Sequence, residues 1–169
     1  MKCKNIKYVF VLLLLSLGFL SQVRAKYTPK RYIQTFEQQS VSLMNETGIP
    51  ASIILGIAML ESGFGNSKNC VLLHNHFGIV GSNNLKERGI KYKSRYKSYE
   101  SDSASYVHFC QVVQSKPYYA KLKGTTKVNA WLKGIGRTYS RSYKNWMKRV
   151  LNLIKKYHLK EYDKGSING

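Results

Sequence analysis

Acidic side chains are scarce in this 169-residue chain: eight Asp and Glu stand against 28 Lys and Arg, a formal net charge of +20. A balance so one-sided excludes a self-neutral surface and implies an anionic partner. Nucleic acid, anionic lipid and anionic cell-wall polymer all carry the required sign. Cysteine is also sparse. The three that occur include no Cys-x-x-Cys pair, so zinc binding has no support. Internal repeats, long linkers and low-complexity tracts are lacking too, which leaves one domain as the expected organisation.

Only one long apolar run is present, Val9 to Leu20, and it is short for a membrane span. Lys2, Lys4 and Lys7 precede it and Val23-Arg24-Ala25 follows. That order reads as a secretory signal peptide over residues 1–25, cut after Ala25, with an uncleaved N-terminal anchor as the alternative. Cys3 lies before the apolar run, which argues against a lipoprotein anchor. Lys2, Lys4, Lys7 and Arg24 leave with residues 1–25. The mature chain then keeps 24 basic against eight acidic residues, a formal charge of about +16. Export argues against nucleic acid as the main target. It also permits a disulfide between Cys70 and Cys110, although two buried thiols fit the sequence equally well. Residues 26–163 are long enough for a real hydrophobic core, and the segment from Lys164 to Gly169 reads as a frayed tail.

The most informative stretch runs from Pro50 to Gly65. Ile53, Ile54, Leu55, Ile57, Ala58, Met59 and Leu60 leave almost no polar face, which predicts a core helix. Pro50 suits its first turn, and Gly63 and Gly65 mark its end. Glu61 then lies above Ile57 and Ala58. Aliphatic surroundings and the negative helix C-terminus both disfavour its charged form. A carboxylic acid kept protonated near neutral pH is what a general acid needs. A glutamate in the last turn pointing into water is the plainer alternative.

Four further helices are predicted from apolar spacing. Tyr32 to Thr47 sets Ile33, Phe36, Ser40, Leu43 and Met44 near one face. Asp102 to Gln114 has Tyr106, Phe109, Cys110 and Val113 inside, with Asp102 as its cap. A short helix carries Val128, Trp131, Leu132 and Ile135. The last repeats Tyr143, Trp146, Met147, Val150, Leu151 and Ile154. Between Gly89 and Tyr99 the pattern changes: Ile90, Tyr92, Ser94 and Tyr96 alternate with Lys91, Lys93, Arg95 and Lys97. With the Gly81-Ser82-Asn83-Asn84 turn, that alternation predicts a small β-hairpin lobe. The expected class is mainly α (α+β). The basic face of the segment reads as the wall of a cleft gripping an anionic polymer, against the simpler reading of solvated surface lysines.

Thr47-Gly48-Ile49-Pro50-Ala51-Ser52-Ile53, then Leu60-Glu61-Ser62-Gly63-Phe64-Gly65, then Asn75-His76-Phe77-Gly78-Ile79 resemble bacterial glucosaminidase domains of glycoside hydrolase family 73 in order and spacing. That family includes the flagellar rod-associated peptidoglycan hydrolases. The resemblance covers about Tyr32 to Asp163. It implies a lysozyme-like fold with a helical lobe, a small β lobe and a cleft between them. The implied reaction is hydrolysis of the β-1,4 bond between N-acetylglucosamine and N-acetylmuramic acid, with Glu61 as general acid. The partner is bacterial cell-wall glycan rather than nucleic acid. A monomer is expected, exported to the periplasm, envelope or medium, without stable membrane insertion after signal cleavage.

A second catalytic group is harder to place. Two-carboxylate glycosidases need a base or nucleophile across the sugar. Between Gly81 and Tyr96 the only acidic residue is Glu87, so Glu87 is the candidate base, set against the substrate's own N-acetyl group. The family has a tyrosine before the last helix; Tyr139, in Thr138-Tyr139-Ser140, is the preferred counterpart and Tyr143 the alternative. Asn75, Phe77, Gly78, Tyr96, Tyr99 and Tyr143 complete the expected substrate-binding set. His74 and His76 straddle Asn75 without a third ligand at recognisable spacing, so neither metal nor cofactor is expected. A lytic transglycosylase and a non-catalytic cationic wall-binding protein are the rival readings.

Overall fold

The structure, a computed structural model, describes residues 26–139 and 142–164. The signal-peptide reading and the tail beyond Lys164 lie outside the described residues. Among the described residues seven α-helices and a 3-10 helix follow in order: α1 Pro29–Thr47, α2 Ala51–Ser62, α3 Lys68–Leu73, α4 Asp102–Gln114, α5 Tyr119–Leu122, α6 Val128–Tyr139, α7 Tyr143–Lys156, and the 3-10 helix Leu159–Lys164. The five helices expected from apolar spacing all form.

Helix α2 is the axis of the molecule, and α1, α7 and the 3-10 helix pack around it. Every residue from Ala51 to Met59 is buried. Ile53, Ile54, Leu55, Ile57 and Met59 alone contribute on the order of 10 kcal/mol of transfer free energy, as an upper bound. Such a helix has no polar face to spare for its own N-terminus, and Pro50 offers no side-chain cap. Asp163 supplies one from the far end of the chain. Its Oδ1 accepts from Ser52 N at 2.8 Å and its Oδ2 from Ser52 Oγ at 2.7 Å. Gly56 admits α7 closely: a β-carbon there would stand 3.0 Å from Ile154 Cγ1 and 3.2 Å from Val150 Cγ1. At the other end Gly63 turns left-handed (φ 56°) and its N–H closes on Met59 O, ending the helix at Ser62.

Two expectations are corrected. The β-hairpin lobe does not form. Among the described residues, pairing is limited to one antiparallel bridge, Val80 with Tyr96, flanked by Gly81 N to Arg95 O at 3.0 Å and Lys97 N to Ile79 O at 2.9 Å. Asparagine amides take carbonyls that a longer ladder would use. Asn83 Nδ2 donates to Ser94 O and Tyr96 O, and Asn75 Nδ2 to Ile79 O and Lys97 O. The alternation itself is real: Lys91, Lys93 and Arg95 are exposed while Tyr92, Ser94 and Tyr96 are half-buried. It reports an extended segment lying on the helical body rather than a strand in a sheet. The second correction concerns α4. Its cap is Ser101, whose Oγ accepts from Ala104 N at 3.1 Å, which leaves the first-turn Asp102 available for other partners.

Cys70 and Cys110 are buried and are not joined. Burial pushes the Cys110 thiol up to about 12, so it stays protonated.

Candidate active site

Glu61 is the penultimate residue of α2, half-buried where that core helix surfaces. Its Oε1 accepts a 2.7 Å hydrogen bond from the indole Nε1 of Trp146 on α7. Its Oε2 faces Gly78, where a β-carbon would come within 3.4 Å of that oxygen. Gly78 has φ 65°, so its glycine serves both the turn and the open space beside the carboxyl. Burial is the largest influence on Glu61 and raises it above the usual carboxylate range. The Trp146 hydrogen bond and the positive charge of Arg149, three residues further along α7, pull the other way without reversing it. Because an indole N–H can only donate, the acidic proton belongs on Oε2, on the Gly78 side.

The Gly78 turn is held from beneath. Asn75 is buried; besides its two carbonyl partners, its Oδ1 accepts from Ile79 N at 3.1 Å. Phe77 has no exposure and stacks on Phe109 with centroids 4.1 Å apart. Tyr96 Cε1 lies 3.8 Å from the same β-carbon position on Gly78 that Glu61 approaches, so Tyr96 reaches the site from the extended segment. Tyr99 is half-buried, with its hydroxyl paired with His108 Nδ1 at 2.8 Å and its phenol pushed up to about 12 by burial.

On the α7 side, the Tyr139 ring stacks on Trp146 at 5.4 Å and 22°, one contact removed from Glu61. Burial, and then the Glu61 charge, raise the Tyr139 phenol well above its ordinary value, so it remains an O–H. Tyr143 opens α7 beneath the Arg137 guanidinium, 5.7 Å from its ring. Trp146 itself fits because α6 has a glycine opposite: a β-carbon on Gly136 would stand 2.9 Å from Trp146 Cε3. Glu87 is exposed in the turn at residues 85–89.

His74 and His76 converge on one carboxylate. His74 Nδ1 is 2.7 Å and His76 Nε2 3.2 Å from Asp102 Oδ1. His76 Nδ1 pairs with Tyr32 OH at 2.6 Å, and Tyr32 OH with Tyr106 OH at 2.9 Å. Ser62 Oγ, beside Glu61 in sequence, donates to Ala58 O at 2.6 Å and accepts from Gly65 N at 2.7 Å. It also lies 3.4 Å from Tyr32 OH, so a buried polar chain runs from Asp102 to the end of α2.

Residues 37–159 match the glucosaminidase family, described as mannosyl-glycoprotein endo-beta-N-acetylglucosaminidase. The chain belongs to that family. It is therefore a glycoside hydrolase. No curated protein matches the chain. Among solved structures it is similar to the catalytic domain of the autolysin Auto from Listeria monocytogenes, with TM-score 0.66 and 17% identity over 96% of this chain and 99% of that one. The glycoside hydrolase domain of FlgJ from Salmonella typhimurium gives TM-score 0.61 and 16% identity, over 78% and 89%. A peptidoglycan hydrolase from Sphingomonas sp. A1 gives TM-score 0.57 and 22% identity, over 82% and 97%. At these identities the likeness is one of fold.

Of the residues singled out in sequence, the glucosaminidase domain joins four: Glu61 and Tyr96 meet at Gly78, and Glu61 and Tyr139 meet at Trp146. Trp146 is the participant that sequence reasoning missed as anything but core. A signal was present: a tryptophan on an apolar stripe has one N–H that needs an acceptor, and this chain has few acids to offer. Arg149 was missed as well, one more cation among many.

Proposed function

We propose that this domain hydrolyses peptidoglycan at the β-1,4 bond between N-acetylglucosamine and N-acetylmuramic acid, with Glu61 as general acid. The observation that carries the proposal is the asymmetry of the Glu61 carboxyl. Oε1 is committed to an N–H donor, while Oε2 opens onto the glycine side of the Gly78 turn. The Oε2 proton passes to the glycosidic oxygen as the bond to the sugar C1 breaks. Water then completes C1 and its proton goes to Glu87; where the substrate's own N-acetyl oxygen bonds to C1 first, the later water displaces it and gives its proton to the Glu61 carboxylate left by the first step. The buried Asn75 and Phe77 position Gly78, while Tyr96, Tyr99 and Tyr143 are the rings available to sugar faces. Tyr139, a phenol that keeps its proton, orients the N-acetyl group or the water. The similarity to an autolysin and to peptidoglycan hydrolases supports the substrate class, and with it action in the cell envelope or outside the cell. Among the described residues no helix is long and apolar enough to cross a membrane.

Mass spectrometry of purified peptidoglycan after digestion, with Glu61→Gln alongside, tests the proposal. New reducing ends on N-acetylglucosamine, absent with the variant, are expected. Anhydro-muramic ends would replace the reading with a lytic transglycosylase, and no cleavage at all with a cationic wall-binding module. Glu87→Gln separates the two second-group readings: loss of turnover selects the carboxylate, and retained turnover the N-acetyl group.

A further inference from the structure

The segment after the Gly78 turn lines an open cavity of about 530 Å³ that the acid chemistry does not use. Asn83, Lys86, Lys91, Tyr92, Lys93 and Ser94 contribute to its lining. Its shape is built in. Tyr92 Oη and Ser94 Oγ both donate to Asn69 Oδ1 on α3, at 3.0 and 2.9 Å, pinning the extended segment to the helical body. Buried Leu85 anchors the preceding turn. A fourth lysine, Lys68, holds its Nζ 4.2 Å from the Tyr92 ring centroid. Among the described residues, no carboxylate comes within 4.0 Å of Lys68, Lys86, Lys91 or Lys93. Three lysines, Lys86, Lys91 and Lys93, at the border of an open and mainly apolar concavity suit an anion several atoms long that brings some apolar surface with it, and the volume is that of an ordinary ligand site.

The cavity is coupled to the acid site through the backbone. Asn83 Nδ2 donates to both Ser94 O (2.8 Å) and Tyr96 O (3.0 Å), and Tyr96 meets the Gly78 turn facing Glu61. A strand that runs from Glu61 across Tyr96 would bring a substituent to this segment. A separate polyanion would have no reason to favour this spot over the cationic face of α7, where Lys144, Lys148, Lys155 and Lys156 are exposed.

We propose that this cavity is an anion-binding subsite for the carboxylate-bearing peptide attached to the muramic residue of the strand being cut, so that the domain prefers peptide-bearing over naked glycan. The proposal rests on the peptidoglycan reading above. Lys91→Ala/Lys93→Ala is the informative variant, since both side chains are exposed and removing them leaves the core intact. Steady-state cleavage is measured on peptidoglycan free of phosphate polymers, and on the same glycan stripped of its peptides by an amidase. Lys155→Ala/Lys156→Ala, which removes two exposed charges from the last turn of α7, serves as the charge control. The expected result is a KM about five- to tenfold higher on the peptide-bearing substrate, with kcat and the stripped substrate unaffected and the control near wild type. Equal losses on both substrates, equal losses in the control, or no loss would overturn the subsite. So would a loss seen only when phosphate polymer is left on the wall, which would identify phosphate as the ligand.

Binding keeps this test separate from the fate of the catalytic reading. If the wild type cuts neither substrate, the hydrolase proposal fails by itself. Glu61→Gln, with and without the two lysine changes, is then titrated against both glycans. A preference for the peptide-bearing strand that the lysine changes abolish still supports the subsite, and no preference removes it.

Discussion

Glu61 combines two demands that conflict energetically. The site needs a carboxyl that keeps its proton, and the fold supplies one by bringing a carboxyl out of water at the end of a core helix. Glu61→Gln should lower kcat by about 10²- to 10⁴-fold while the far-ultraviolet circular dichroism is unchanged. The same substitution should stabilise the protein near neutral pH. With the folded value raised, the native state holds its proton more tightly than the unfolded chain. The contribution of Glu61 to stability is therefore most favourable in acid and falls as pH rises from the unfolded value through the folded one. Glutamine has no charge to bury, so thermal melts should show its advantage growing with pH and vanishing in acid. An advantage that persists unchanged in acid would contradict the burial argument. Trp146→Phe keeps the stack on Tyr139 but removes the donor to Oε1. Since that hydrogen bond lowers the Glu61 value, its loss should move the alkaline limb of the kcat/KM profile to higher pH, and an unmoved limb would separate Trp146 from the acid.

Helices α6 and α7 owe their geometry to small residues facing large ones. Gly136→Ala should cost about 1 kcal/mol net in urea titration, overpacking against Trp146 outweighing the gain in helix propensity. Turnover should fall with it, because the indole that Gly136 accommodates is the one that holds Glu61. Wild-type kcat in a destabilised variant would show that Trp146 adjusts freely. At the opposite end of α2, Asp163→Ala removes a cap contributed from 111 residues away and should cost about 1–2 kcal/mol. The hairpin that failed to form belongs to this scale too. Alternation along residues 89–99 encodes which side chains face inward, and it says nothing about whether a second strand lies alongside. Here Asn75 and Asn83 occupy the carbonyls instead.

Across the whole molecule the excess of cations over eight acids leaves a field that no internal pairing removes, because Glu61, Asp102 and Asp163 are committed to Trp146, the two histidines and Ser52. Retention of Glu61→Gln on purified walls should therefore weaken steeply between about 0.05 and 0.5 M NaCl in co-sedimentation, as screening shortens the reach of exposed charges. Salt-independent retention would mean that sugar contacts alone hold the wall.

Local sequence determined the five long helices of this protein, the place of Glu61 at the end of the most buried one, and the sign of its net charge. Each follows from short-range physics: apolar period, left-handed glycine stops and summed charge. The neighbours of that carboxylate were decided only in three dimensions. Trp146 reads in sequence as one more apolar residue on α7, 85 positions away, and nothing local tells its N–H to choose Glu61. Asp163 reads only as the last residue of the domain, yet it caps the core helix. In both cases the partner is selected by burial, since a polar group taken out of water must find whichever complement the packed helices bring within 3 Å.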